Sequence, residues 1–175
     1  MTVPTFKLAD PIADRAALLD INIEYVAWVF AGIEQAFGVR AVDILGSEAR
    51  DYVPTVIDKV CGDAPPRGVF YLIEDDGVVV GMGGLRRLAD GVAELKRVYV
   101  RPSQRGKGLG ELILRRILDD ARAFGYRCIR LDSAPFMKSA QALYRAKGFV
   151  ERASYAGVEV PEAFHANWSF MELEI

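Results

Sequence analysis

Histidine occurs once in the 175 residues, at His165, and cysteine twice, at Cys61 and Cys128. Soft metal sites need His and Cys grouped at short spacings, and no CxxC, HxxxH or Cys/His cluster is present, so no metal is expected. Nothing resembles a Ser-His-Asp arrangement, which argues against an acyl-enzyme mechanism. Two distant cysteines give no disulfide framework; they suit a reducing, cytoplasmic compartment as small buried side chains. Long apolar runs are missing as well: Val78 to Leu85 is broken by three glycines and falls far short of the ~20 residues a membrane span needs. The first fifteen residues hold Asp10, Asp14 and Arg15 rather than a basic stretch followed by a clean apolar one, so neither a transmembrane helix nor a secretion signal is expected. Net charge is only −2, from 22 basic and 24 acidic residues, which removes the bulk positive charge that drives nucleic-acid binding. Internal repeats, low-complexity tracts and Ser/Gly linkers are lacking too.

What is present is a core. With 51% hydrophobic and 10% aromatic residues over 175 positions, the chain suits a single domain spanning residues 1–175. Its charge is unevenly spread. Residues 1–95 carry 8 basic and 15 acidic side chains, 96–150 carry 13 and 4, and 151–175 carry 1 and 5. A basic stretch of this kind is either a solvated helix face or a site for an anionic group.

Periodicity divides the chain into elements. Leu18, Ile21, Tyr25, Trp28 and Ile33 recur at helical spacing between Asp14, a plausible N-cap, and Gly38. A second helix follows Ser47 and reaches about Cys61, with a kink or restart at Pro54. Val69 to Glu74, Val78 to Leu85 and Val92 to Val100 read as a three-strand meander turned by Asp76-Gly77 and Asp90-Gly91. Glu111 to Phe124 is an amphipathic helix, Cys128 to Asp132 a short strand, Ser139 to Lys147 a helix, and Phe149 to Tyr155 and Trp168 to Glu174 contain the last strands. Strand, helix, strand from 92 to 132 implies one parallel pair in an otherwise antiparallel sheet. The fold class is mixed α/β (α+β).

Arg101-Pro-Ser-Gln-Arg-Gly-Lys-Gly-Leu-Gly110 joins the third meander strand to the amphipathic helix. Alternate glycines let backbone N–H groups converge on one point, and the helix start adds its dipole, so the loop suits phosphate. Arg105 and Lys107 add charge beside it. A flexible turn of small residues is the competing reading. The Walker pattern is missing, and the GxGxG spacing, set back from the strand, departs from the dinucleotide fingerprint.

These residues resemble the GNAT superfamily of N-acetyltransferases. The family's acetyl-coenzyme A loop, Gln/Arg-x-x-Gly-x-Gly/Ala, is matched by Arg105 to Gly110, and its AxxLYxxxGF segment by Ala140-Gln-Ala-Leu-Tyr144-Arg-Ala-Lys-Gly148-Phe149. The resemblance covers roughly residues 68–175 and implies a centrally splayed sheet flanked by about four helices. It further implies that Arg105, Gly106, Lys107, Gly108, Leu109 and Gly110 hold the pyrophosphate of acetyl-CoA, the co-substrate. Backbone groups at Val98 and Val100 then pair with the pantetheine arm, and the N–H near Val98 faces the thioester oxygen. By the same resemblance Tyr144 protonates the leaving thiolate and Glu94 is the general base; their competing readings are a core tyrosine and a solvent-facing or ion-paired strand carboxylate. Met137 stands where many members have asparagine, which leaves Ser139 as a helix cap and moves the chain away from members acting on protein N-termini.

The acceptor side of such a fold is walled by the N-terminal helices and the last hairpin, which makes Tyr25, Trp28, Tyr155, Glu159, His165 and Trp168 candidates, although each aromatic also suits core packing. Both segments are net acidic, so the expected acceptor is a small cationic amine. A protein N-terminus or lysine is the alternative, and a non-catalytic acyl-CoA sensor is the reading from another class. Neither a nucleic acid nor a membrane is an expected partner; a homodimer through the last strands is a family-level expectation.

Overall fold

The computed structural model describes residues 4–175. Seven strands form one sheet in the order β1-β2-β3-β4-β5-β7-β6. They are β1 (Thr5–Leu8), β2 (Val69–Asp75), β3 (Val78–Ala89), β4 (Val92–Val100), β5 (Cys128–Ser133), β6 (Val150–Arg152) and β7 (Ser169–Glu174). Among the described residues the α-helices are α1 (Arg15–Phe37), α2 (Ala41–Leu45), α3 (Ala49–Cys61), α4 (Leu109–Ala123) and α5 (Lys138–Ala146). Only β4 and β5 run parallel. The meander and the parallel crossover follow the sequence reading. Two features do not: β1, four mostly exposed residues with no usable period, and β7, which inserts between β5 and β6 and leaves three-residue β6 at the edge.

Strand β2 shows why the sheet holds helices on both faces. Val69, Tyr71 and Ile73 join the cluster around α4, whereas Phe70 and Leu72 join the one around α1 and α3. A strand buried on both sides reads as an unbroken apolar run, as Val69 to Ile73 does. On the α4 side Ile113, Leu114 and Ile117 are fully buried, and the helix can approach because β3 has glycine beneath it. A Cβ on Gly83 would sit 2.5 Å from Ile113 Cγ2 and 3.0 Å from Ile117 Cδ1.

Helix α1 differs from expectation in two respects. Asp14 does not cap it: its carboxylate accepts from the Asp10 N–H and from Lys7, while Asp10 Oδ1 takes the Ile12 and Ala13 N–H groups in the lead-in turn. At 23 residues α1 is also long and apolar enough to cross a membrane by length and composition, which a search for unbroken apolar runs does not reveal. Here its stripe of Leu18, Ile21, Val26 and Ile33 is buried in the protein core, and Gly38 ends it in the left-handed conformation, donating to Glu34 O. Pro54 lies inside α3 without dividing it, and α5 starts at Lys138, so Ser139 lies within its first turn and makes no cap.

The feature that builds a site is the splay. β4 and β5 pair only at Val92, Ala93 and Glu94 against Cys128, Ile129 and Arg130. Beyond that the strands part. On the other side of β4 the register with β3 passes from Gly84↔Lys96 to Met82↔Tyr99, so Arg97 and Val98 together oppose Gly83. That is a β-bulge, which bends and twists the strand that carries it. Arg97 takes φ +52 there, a left-handed conformation that costs a non-glycine residue about 1–3 kcal/mol.

Candidate active site

Parting the strands opens a cleft of about 550 Å³. One wall is β4 from Leu95 to Val100, the other is Leu131, Asp132 and Ser133 of β5, and the floor leads to Gly106, Gly108 and Gly110 at the start of α4. Gly106 and Gly108 both have φ +77 with open space where a Cβ would be. Their backbone thus turns sharply at the end of a 15-residue helix, where N–H groups and dipole favour an anion. Arg105 folds back from this loop: Nε donates to Val100 O at 3.0 Å, and the guanidinium lies 5.2 Å from the Trp28 ring centre and 5.5 Å from that of Tyr99. Lys107 does not line the cleft; its Nζ donates to Gln104 Oε1 at 2.6 Å on the exposed side of the loop.

Tyr144 lines the cleft from α5 and is otherwise buried. Burial, with smaller contributions from Tyr25 and Asp132, pushes its phenol well above the ordinary range, so it stays a proton donor. The β5–α5 connection is held by Gln141, whose Nε2 donates to Ala134 O at 2.8 Å. Phe136, Met137, Lys138 and Ser139 in this segment also face the cleft. Sequence reasoning missed them as lining groups because nothing in their spacing separates a loop facing a cleft from any other loop.

A second, smaller cavity of about 130 Å³ adjoins the first. Tyr25, Leu95, Arg97 and Asp132 line both. Its walls include Glu159 and Trp168 with the apolar side chains Val26, Val29, Ile33 and Leu45. Trp168 Nε1 donates to Asp132 Oδ1 at 2.9 Å. Lys96 reaches Glu159 at 3.2 Å; although burial disfavours its charge, Lys96 and Arg86 hold the Glu159 carboxyl below the usual range. The pocket therefore contains Lys96 and Arg97 as well as Asp132 and Glu159. This corrects the expectation of an acidic rim. The acidic N-terminal helix meets basic β4 in space, and Asp20 and Glu24 of α1 are already taken by Arg101.

Of the other candidates, Trp28 and Tyr25 stack near each other in the cleft wall, with ring centres 6.2 Å apart. Tyr155 and Glu94 line neither cavity. Glu94 is fully buried: Oε2 accepts from Arg86 Nε at 2.6 Å and Oε1 from the Tyr155 hydroxyl at 2.9 Å. That is a closed charge network, unlike the accessible carboxylate a general base requires. His165 is half-buried rather than exposed; its Nε2 donates to Val160 O at 2.9 Å.

The acetyltransferase (GNAT) family model matches residues 40–149, the stretch that holds α3, the meander, the glycine loop, α4 and α5. The chain belongs to the GNAT acetyltransferase family. This GNAT chain is 36% identical over 93 residues to the IAA acetyltransferase of Azospirillum brasilense, a match spanning 53% of the chain and 61% of that relative. Its fold is shared with the PaiA N-acetyltransferase of Thermoplasma acidophilum, solved in complex with coenzyme A, at TM-score 0.70 and 18% identity over 99% and 100% of the two chains. It is likewise shared with YncA of Salmonella typhimurium, solved with acetyl-CoA, at TM-score 0.63 and 24% identity over 99% and 94%.

Two further observations concern what the cleft of this GNAT domain can hold. Ser133 Oγ is buried in its wall and has no hydrogen-bond partner among the described residues. Such an orphan is costly and marks a place where a polar ligand completes the bonding. The β4 edge facing the splay has no strand partner beyond Glu94, so an extended polar chain can add to it as another strand.

Proposed function

We propose that this protein transfers an acetyl group from acetyl-CoA to the primary amine of a small molecule. The observation that carries the reading is the continuity of the two cavities at Tyr25, Leu95, Arg97 and Asp132. A long cleft that ends on a phosphate-type loop meets a small pocket at the point where the strands part. Gly106, Gly108 and Gly110 with the α4 N-terminus would hold the pyrophosphate. The exposed edge at Val98 and Val100 would hold the extended arm. When bound, acetyl-CoA supplies an acyl thioester open to direct attack.

The chain's own groups then have separate tasks. Asp132, at the junction, takes the proton from the incoming ammonium; Glu94, enclosed by Arg86 and Tyr155, supports β4 behind it. The Val98 N–H offers a fixed donor where negative charge develops on the carbonyl oxygen. Tyr144 gives its proton to the departing sulfur, and its raised pKa keeps that proton available. Most of the acceleration comes from holding amine and thioester side by side in a dry junction.

A small pocket of about 130 Å³ favours a small acceptor over a peptide, which needs an open groove. Calorimetric titration of acetyl-CoA tests the reading, beside Gly108→Glu, which sets a carboxylate and a strained side chain at φ +77 in the loop. Micromolar binding by the wild type and its loss in the folded variant are expected, followed by thiol release with amines and a fall of about 100-fold or more in Asp132→Asn. A protein that binds acetyl-CoA and releases no thiol with any amine is a sensor, and the catalytic reading then fails.

A further inference from the structure

Two ionic side chains line the junction of the cavities from opposite sides of the splay, and among the described residues neither is ion-paired within 4.0 Å; Glu159, whose carboxyl Arg97 helps to hold low, lies beyond that distance. Arg97 comes from the bulge of β4 and is buried. Its Nη1 donates to Asn22 Oδ1 at 2.6 Å, and Asn22 is itself fixed by donation from Nδ2 to Leu18 O at 2.8 Å. Asn22 is neutral, so it aims the guanidinium without cancelling its charge. Among the described residues no carboxylate lies within 4.0 Å of Arg97; Glu159 belongs to Lys96 at 3.2 Å and Arg86 at 3.5 Å. Asp132, on β5, is half-buried and carries the opposite sign: its one hydrogen bond, at Oδ1, comes from the neutral Trp168 indole, and no cation lies within 4.0 Å among the described residues.

A buried charge without a partner is costly, and folds normally neutralise or pair it. Here the backbone carries Arg97 in a left-handed conformation as well. Strain of this kind persists where function requires the placement it gives. The two charges do not bridge each other, so the space between them is complementary to a molecule carrying both signs.

We propose that the acceptor is an amino acid: a small zwitterion whose carboxylate is taken by Arg97, whose ammonium is taken by Asp132, and whose apolar side chain enters the second cavity between Val29, Ile33 and Leu45. This rests on the acetyl-transfer reading, since Asp132 then holds the reacting nitrogen and accepts its proton. A simple amine satisfies Asp132 alone and leaves the guanidinium unmatched. A peptide N-terminus places a neutral amide where an anion is needed.

The test is thiol-release kinetics with L-leucine, L-methionine, L-valine and L-phenylalanine, each beside its carboxamide and its decarboxylated amine. The free amino acids are expected to exceed their carboxamides in kcat/KM by about 10- to 100-fold, the range of a charge-assisted pair. Arg97→Gln is expected to bring that ratio near 1. Arg97→Lys should keep part of it, having the charge without the planar fork. A purely structural arginine would lower all acceptors together and leave the ratio unchanged, which would overturn the proposal. Should Arg97→Gln not fold, the wild-type ratio decides: equal or better turnover of carboxamides or amines overturns it, as does turnover of none of the panel by protein that binds acetyl-CoA. Calorimetry in the same preparation separates the two levels, because absent acetyl-CoA binding defeats the acetyl-transfer reading, whereas binding and amine turnover without the preference defeat only this inference.

Discussion

Arg86 and Glu94 face each other as register partners on β3 and β4, with Nε 2.6 Å from Oε2, both side chains buried. The pair is extended by Lys96, Glu159 and the Tyr155 hydroxyl, so it ties the meander to the segment leading to β7. Removing one member of a buried pair leaves the other uncompensated, at a cost of about 3–5 kcal/mol. Glu94→Ala should therefore lower the unfolding free energy by that amount, read as a fall in the urea midpoint at unchanged slope, and activity should fall only as far as folded protein is lost. A stable Glu94→Ala protein with a greatly reduced kcat would restore Glu94 as the base.

Tyr144→Phe removes the proposed proton donor and little volume. Turnover is expected to fall about 10- to 100-fold with acetyl-CoA affinity retained. Because burial raises the phenol's pKa, the donor form persists through alkaline assay conditions. The wild-type kcat should show no decline assignable to Tyr144 below about pH 10, where a free tyrosine titrates. A phenylalanine variant with full activity would reduce Tyr144 to packing.

Gly83→Ala drives a methyl toward Ile113 and Ile117, which lie 2.5 and 3.0 Å from the added atom. Overpacking of this kind costs about 1–3 kcal/mol. Since α4 also presents the glycine loop to the cleft, acetyl-CoA binding should weaken alongside the thermal midpoint. Unchanged stability would mean that α4 shifts freely over the sheet.

Stability should decline at alkaline pH. Burial lifts Cys61 from its ordinary 9.0 to about 12, and Tyr25 from 10.0 to about 12. The native state keeps these protons where the unfolded chain releases them, so above about pH 9 the unfolded state binds fewer protons and stability drops as pH rises toward 12. At pH 10 the thiol alone accounts for roughly 1 kcal/mol. Urea midpoints at pH 8 and pH 10 check this, and Cys61→Ala should flatten the slope; midpoints that do not move with pH contradict it.

Much of the fold was legible because local rules are strong in this chain. The apolar period of α1, the two-sided run of β2, the Asp-Gly turns and the order of loop and Leu-Tyr segment all lie in short stretches. The glycine loop and Tyr144 were readable for the same reason. Strand β1 escaped, being four residues long and mostly exposed; the capping role of Asp14 failed because its carboxylate is taken by Lys7 and the Asp10 N–H in the lead-in turn, and that of Ser139 because the helix begins earlier.

The sequence by itself determined most of the elements, the family, the glycine loop and the tyrosine on α5, since each depends on residues close together along the chain. Only the tertiary structure decided which charges remain unmatched. Glu94 and Arg97 lie three positions apart, yet one is closed into a network with Arg86 and Tyr155 and the other is aimed by Asn22, 75 residues away, into the junction. A strand alternates its faces and a bulge resets that alternation. The side a charge takes, and the partner it finds there, are therefore set by the neighbouring strands and helices.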